Sequence, residues 1–110
     1  MDVFDEIKIT ETIKKIENNS YVMALVHDEE MDLYENICDT LSDLWSELKS
    51  LLDFESRNNV INYAKDIERV SYECGVAKCA GDEVTLTKKR EFLKDLWWEL
   101  GSILIHLETE

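Results

Sequence analysis

The chain has 110 residues, enough for one domain around one hydrophobic core. Its formal net charge is −13, from 25 acidic and 12 basic residues. This charge disfavours direct binding to nucleic acid or to an anionic membrane surface, because phosphates are attracted by positive potential. A basic protein surface is the partner that it favours.

Hydrophobic residues make up 45% of the chain, while proline is absent and only three glycines occur. We therefore expect a folded domain built from a few long helices, because turns favour those two residues. The start, "MDVFDEIKIT", has no basic region followed by an apolar run, and no segment approaches the roughly 18 apolar residues of a membrane span. With three cysteines, an odd number, we expect a cytoplasmic protein with reduced thiols.

The first predicted helix is the least regular element. Ile9, Ile13 and Ile16 share one face, whereas Val3, Phe4 and Ile7 fall outside it. The run "YVMALV", residues 21–26, fits either an extension of this helix or a short strand, since periodicity does not separate the two.

The second predicted helix has the clearest pattern. Asp28 is a candidate N-cap, followed by Glu29 and Glu30 in the first turn. Its apolar residues recur at steps of three and four and predict one buried stripe. The stripe comprises Leu33, Tyr34, Ile37, Cys38, Leu41, Leu44, Trp45, Leu48, Leu51 and Leu52.

Two further helices are predicted, starting near Ser56 and near Thr87, with "CAGDEVTLT" as the loop between them. The third should bury Val60, Tyr63, Ala64, Ile67, Val70, Ser71 and Cys74. The fourth should bury Phe92, Leu93, Leu96, Trp97, Leu100, Ile103, Leu104 and Leu107. Four amphipathic segments with short connections predict an all-α single domain over residues 1–110, an antiparallel four-helix bundle or a similar compact helical domain.

A short internal repeat links the second and fourth helices. "LSDLWSELKSLL" (41–52) and "LKDLWWELGSIL" (93–104) are identical at eight of twelve positions, at an offset of 52 residues. At this offset the identity fades outside the window. Duplication of a helical hairpin and convergence on a Leu/Trp pattern both explain the match.

No motif predicts catalysis, a cofactor or a metal site. Neither histidine, His27 or His106, has the glutamate three residues before it that di-metal carboxylate bundles use. All-helical nucleotide pyrophosphatases carry Glu-Glu-x-x-Glu, but Leu33 stands at the third position here. "CGVAKC" spaces its cysteines too widely for a zinc or redox C-x-x-C pair. We interpret Cys38 and Cys74 as small core residues.

The second helix carries nine acids and one base, Lys49, between Glu29 and Glu55. Six of its carboxylates lie away from the apolar stripe and form what we call the acidic row: Asp28, Asp32, Glu35, Asp39, Asp43 and Glu47. Like charges three or four residues apart cost roughly 0.2–0.5 kcal/mol per pair, so the row costs about 1–2 kcal/mol. A row kept at this cost favours contact with a basic partner surface.

Two other interpretations of the acidic row stay open. Charge runs are usually solvated helix faces. Alternatively, the slightly basic segment 56–81, with Arg57, Lys65, Arg69 and Lys78 against three acids, folds against the row.

The pair Trp97–Trp98 predicts a second surface on the fourth helix. Trp97 matches Trp45 in the repeat and should point inward, so Trp98 lies opposite the core stripe, near Gly101 and Ile105. We call these three residues the Trp98 seam. Either a second layer of this chain covers the seam, such as Phe4 or residues 21–26, or the seam is a self-association or partner surface, where tryptophan is enriched.

We therefore expect a small acidic binding protein, not an enzyme, that occupies a basic surface of a partner, with a nucleic-acid-binding surface as a candidate. Small acidic inhibitors such as phage anti-defence proteins, antitoxins and immunity proteins fit this description by analogy. The alternative is a structural or regulatory homo-oligomer, a homodimer through the Trp98 seam. A metal- or nucleotide-dependent hydrolase ranks third.

Overall fold

The computed structural model describes residues 3–26, 31–52 and 57–109, and four helices make up nearly all of them. Helix α1 spans Val3–Val26, α2 Met31–Leu51, α3 Arg57–Ala80 and α4 Glu83–Thr109. Among these residues there is no strand, which confirms the all-α prediction. The ambiguous run 21–26 is helical and completes α1.

The helices form a flattened bundle in which α1 and α3 are the central pair. α1 packs most extensively against α3, α2 packs against α1, and α4 packs against α3, while α1 and α4 barely meet. α1 and α3 run parallel: Ser71 lies against Glu17, and further along both helices Cys79 lies against Ala24. The Cα extents of 45 × 31 × 19 Å fit a bundle whose short diagonal joins α1 to α3.

All four helices contribute one face to the same core. Ile9, Ile13 and Ile16 are fully buried, as the pattern of the first helix predicts. The buried hydrophobic residues of the other helices are Ile37, Leu41, Leu44, Leu48, Leu52, Val60, Ala64, Ile67, Val70, Cys74, Ala77, Leu86, Leu96, Leu100 and Leu104.

Three residues predicted to point inward are exposed: Leu33 and Cys38 on α2, and Phe92 on α4. Both helices lie at the ends of the long diagonal, where each packs mainly against one neighbour. Such a helix buries a narrower stripe than one surrounded by neighbours, so residues at the stripe's edge remain in water. Leu107 has a side chain outside the described residues.

The connection between α3 and α4 is two residues long, not the loop "CAGDEVTLT" that the sequence suggested. Gly81 adopts a φ of 70°, and its N–H and that of Asp82 bond the carbonyls of Lys78 and Ala77, the pattern of a Schellman C-cap. Asp82 then caps α4, accepting hydrogen bonds from the backbone N–H and the hydroxyl of Thr85, which lower the pKa of its carboxyl. α4 therefore begins at Glu83 and not near Thr87.

Reciprocal hydrogen bonds connect the two helical hairpins of the bundle, α1–α2 and α3–α4. The Ser20 hydroxyl donates to the Glu68 carbonyl at 2.7 Å, and the Ser71 hydroxyl donates to the Glu17 carbonyl at 2.6 Å. The Trp45 indole N–H donates to the Glu68 carboxylate at 2.6 Å, and the Trp97 indole N–H donates to that of Glu17 at 2.5 Å. An approximate two-fold axis parallel to the helices produces this exchange of partners.

A second repeated window in the sequence supports duplication over convergence. "KKIENNSY" (14–21) and "KDIERVSY" (65–72) are identical at five of eight positions, at an offset of 51 residues. The offset differs by one from that of the Leu/Trp window, because the segment between the two windows is one residue longer in the second half than in the first. The bonded residues of both hairpins lie in these windows.

The central pair is closest where Gly75 faces α1. A Cβ on Gly75 would lie 2.5 Å from the Ala24 Cβ and 2.7 Å from the Tyr21 carbonyl oxygen. Ala24 is the residue that matches Gly75 at the offset of 51. Because Gly75 and Ala24 are both small, α1 and α3 can approach closely at this contact, and the reciprocal hydrogen bonds depend on that approach.

We expect Gly75→Ala to lower the free energy of unfolding. Crowding in a packed interface costs about 1–3 kcal/mol, which outweighs the gain of about 1 kcal/mol from replacing glycine in a helix. Gly101→Ala is the matched control, because a Cβ there meets nothing within 4 Å, and it should stabilise the protein. Urea unfolding of both variants measures this, and equal stabilisation by both would contradict the close approach.

We expect Glu17→Ala and Glu68→Ala to destabilise the protein by similar amounts, about 1–3 kcal/mol each, because each leaves an indole N–H without its acceptor. Glu17→Gln and Glu68→Gln should recover part of the loss, since the amide oxygen still accepts. Thermal and urea unfolding measure both pairs. A loss confined to one hairpin would show that the two networks are not equivalent.

Candidate protein-binding surfaces

The structure places five members of the acidic row together on one exposed face of α2: Asp32, Glu35, Asp39, Asp43 and Glu47. The opposite face of the same helix carries its buried residues, which are Ile37, Leu41, Leu44 and Leu48. Asp28 lies outside the described residues, as does His27. The row is therefore a continuous carboxylate surface along α2 on the outside of the bundle.

None of these five carboxylates forms an ion pair within the part of the chain that the structure describes. Of the α3 bases whose side chains the structure describes, none forms an ion pair with the row. The Arg69 guanidinium lies 2.7 Å from Glu73 and 3.9 Å from Asp66 on its own helix. The side chain of Arg57 lies outside the described residues, while Lys65 and Lys78 are exposed.

Glu73 is the carboxylate that forms ion pairs with Arg69 and Lys89. The Lys89 ammonium donates to it at 2.7 Å and lowers the pKa of its carboxyl, and Arg69 adds to that effect. Arg69 and Lys89 are thus engaged between α3 and α4, away from α2. This pairing weighs against the interpretation in which α3 neutralises the acidic row.

The unneutralised row belongs to one hairpin only. At the matching positions of α4 stand Val84, Thr87, Glu91, Asp95 and Glu99. α4 also interleaves four bases with its acids: Lys88, Lys89, Arg90 and Lys94. α4 is the counterpart of α2 in the other hairpin, and it packs against the core with both acids and bases on its outer face. The fold therefore does not require the acidic row.

The Trp98 seam lies on the surface, and no second layer of the described chain covers it. Trp98 is 79% exposed and Ile105 58% exposed, so residues 21–26 do not cover the seam, and the side chain of Phe4 lies outside the described residues. Gly101 allows no close approach within the chain, because nothing lies within 4 Å of the position of a Cβ there. The seam is available to another molecule.

A groove that the sequence did not reveal runs between α1 and α4, beside the seam. Its volume is about 760 Å³. It is lined by Glu6, Thr10, Lys14, Glu17, Arg90, Leu93, Lys94, Trp97, Trp98, Leu100, Gly101 and Leu104. Half-buried Trp97 contributes to its lining, with the Lys14 ammonium 5.9 Å from the centre of the Trp97 ring. Helical periodicity predicts which residues share a face of α1 or of α4. It does not predict that these two helices, which lie far apart in the sequence, line one groove.

All three cysteines are free thiols. Cys74 is buried, as expected, and burial raises the pKa of its thiol. Cys38 is exposed, contrary to its predicted core position, and contacts Met23. Within the described ranges, no three side chains among His, Cys, Asp and Glu cluster closely enough to hold a metal ion.

Comparison with protein-family models, with curated proteins and with solved structures finds no match to this chain. Of the four described helices, none is both long and apolar enough to cross a membrane.

We expect an aromatic disulfide reagent to modify Cys38 and Cys79 rapidly in the folded protein and Cys74 only on unfolding, because the thiolate is the reactive form. Absorbance of the released thiol counts the modified cysteines, with the urea-unfolded protein as the three-thiol control. Three fast thiols in the native protein would contradict the burial of Cys74.

Proposed function

We propose that this chain is a small acidic binding protein that occupies a basic surface of a partner protein through the acidic row. The observation that carries the proposal is the set of five exposed carboxylates on α2, from Asp32 to Glu47, with no ion-pair partner among the described residues. A surface that repels itself in the free protein loses that repulsion when lysine and arginine side chains approach it.

The spacing of the row suits an extended basic groove. Members three or four residues apart lie about 4.5–6 Å apart along the helix axis, so the five span about 22 Å from Asp32 to Glu47. A rigid line of negative charge of this length can stand in for the phosphates of a nucleic-acid strand. The partner surface we propose is therefore one that otherwise binds nucleic acid, and the mode of action is its occupation.

A second candidate function is homo-oligomerisation through the Trp98 seam, which the exposure of Trp98 and Ile105 favours. Two copies would each bring a formal charge of −13, which opposes association at low ionic strength. Under this alternative the mass in solution should depend on protein concentration and should rise with salt.

We expect a variant carrying Asp32→Asn, Glu35→Gln, Asp39→Asn and Asp43→Asn to keep or raise its melting temperature, by relief of about 1–2 kcal/mol of repulsion. The same variant should bind a basic partner more weakly, chiefly through slower association, because long-range attraction sets the encounter rate. A tagged pulldown at low and high salt provides the partner, and surface plasmon resonance measures the association rate.

The matched control removes four acids elsewhere: Glu11→Gln, Glu83→Gln, Glu91→Gln and Asp95→Asn. It changes the net charge equally but should leave most of the association rate intact. Undiminished binding by the row variant would refute the proposal and assign the row to solvation. A lower melting temperature would instead show that the row is paired inside the chain.

A further inference from the structure

We propose that the α1–α4 groove is a docking site for an acidic amphipathic helix of a partner protein. This inference concerns a different surface from the acidic row and does not depend on the function proposed above. The occupant is identified by three properties of the groove: its apolar lining, its cations and its length.

The apolar lining comes from α4, whereas the lining residues of α1 are Glu6, Thr10, Lys14 and Glu17. Half-buried Leu93 and Trp97 and exposed Trp98 present apolar surface along the groove, and the core residues Leu100 and Leu104 lie behind them. Tryptophan and leucine surfaces of this kind receive the apolar stripe of a helix, with residues at i, i+3, i+4 and i+7 as anchors. Trp98 supplies a large rigid contact area at the edge of the groove.

Three cations line the groove in a chain with twice as many acids as bases. Lys14, Arg90 and Lys94 form no ion pair with any residue that the structure describes. Of the two lining acids, Glu17 already accepts the Trp97 hydrogen bond. Unpaired cations beside an apolar surface favour an occupant that carries carboxylates next to its apolar stripe.

The length of the groove fits a helix of three to four turns. Along α1 the lining runs from Glu6 to Glu17, and along α4 from Arg90 to Leu104. At 1.5 Å per residue these segments are about 17 and 21 Å long. The groove lies open between two helices that barely meet, whereas a small-molecule site usually encloses most of its ligand.

The other hairpin shows which lining residues are specific to this groove. The two-fold relation keeps Trp97, Glu17 and Lys14 as Trp45, Glu68 and Lys65, so the framework occurs in both halves. Arg90, Lys94, Trp98 and Gly101, however, correspond to Cys38, Ser42, Ser46 and Lys49. The α1–α4 groove therefore differs from the α2–α3 side in two cations, an exposed tryptophan and a glycine. The fold does not require these residues, because it forms without them between α2 and α3.

A second copy of this chain fits the groove less well than a different protein. The acidic helix that a second copy offers is α2, but the apolar stripe of α2 is buried in its own core. Its carboxylates would arrive without the leucines that should fill the groove. A separate helix with both features on one exposed face meets both requirements.

The test uses two designed helical peptides of 14 residues with the same leucine stripe, one flanked by glutamates and one by lysines. Isothermal titration calorimetry of the full chain should show saturable 1:1 binding of the glutamate peptide. The variant Lys94→Ser, Trp98→Ser, Gly101→Lys copies the α2–α3 side at three positions and should keep or raise its melting temperature while losing at least tenfold in affinity. The control Phe92→Ser removes an exposed aromatic of α4 that does not line the groove, and it should bind as the natural chain does.

Three results would overturn the proposal: no saturable binding of the glutamate peptide, equal affinity in the triple variant, or a triple-variant effect of the same size on the lysine peptide. A dimeric mass by light scattering that the triple variant halves would also overturn it and assign the groove to a second copy. The quadruple acidic-row variant separates this inference from the proposed function. It should lose the basic partner and keep the glutamate peptide.

Discussion

The close parallel packing of α1 against α3 is the constraint on which the other contacts depend. Gly75 lets the two backbones approach, and at that separation the Ser20 and Ser71 hydroxyls reach carbonyl oxygens of the opposite helix. The outer helices are then fixed by their tryptophans, each of which hydrogen-bonds a glutamate of the other hairpin. A larger side chain at the contact would therefore disturb all four helices.

Periodicity in the sequence was sufficient to predict most of the core. Ile9, Ile13 and Ile16 recur at helical spacing and are fully buried, and the leucines at 41, 44 and 48 form the inner face of α2 as expected. Leu33 and Phe92 were placed wrongly because the width of a buried stripe depends on how many neighbours a helix has. That number is a property of the assembled bundle and not of the helix.

Backbone chemistry and long-range pairing explain the other differences. Gly81 ends α3 and Asp82 caps α4 within two residues, whereas the segment from Cys79 to Thr87 shows no helical apolar periodicity from which this short connection could be predicted. Glu17 and Glu68 look like ordinary surface acids until the offset of 51 places each opposite a tryptophan. The exposure of the acidic row followed directly from its position opposite the stripe, whereas the α1–α4 groove needed the packing of two distant helices.

The two halves of the protein share the same framework and differ on their outer surfaces. α2 and α4 lie at opposite ends of the long diagonal, so the acidic row and the apolar lining of the groove lie on helices that do not pack against each other. Their differences, such as Ser46 against Trp98, fall at exposed positions where neither core is affected. One set of residues thus maintains the fold, and another set differs between the halves at positions that can contact other molecules.

The reciprocal hydrogen bonds also affect the cooperativity of unfolding. They join residues 48, 54, 23 and 80 positions apart, and every one crosses from one hairpin to the other. A hairpin separated from its partner would exchange these hydrogen bonds for bonds to water and would expose the isoleucine and valine side chains that the other hairpin covers. Neither half is then a stable resting point, so loss of structure at the central pair spreads through the whole chain as a single cooperative transition.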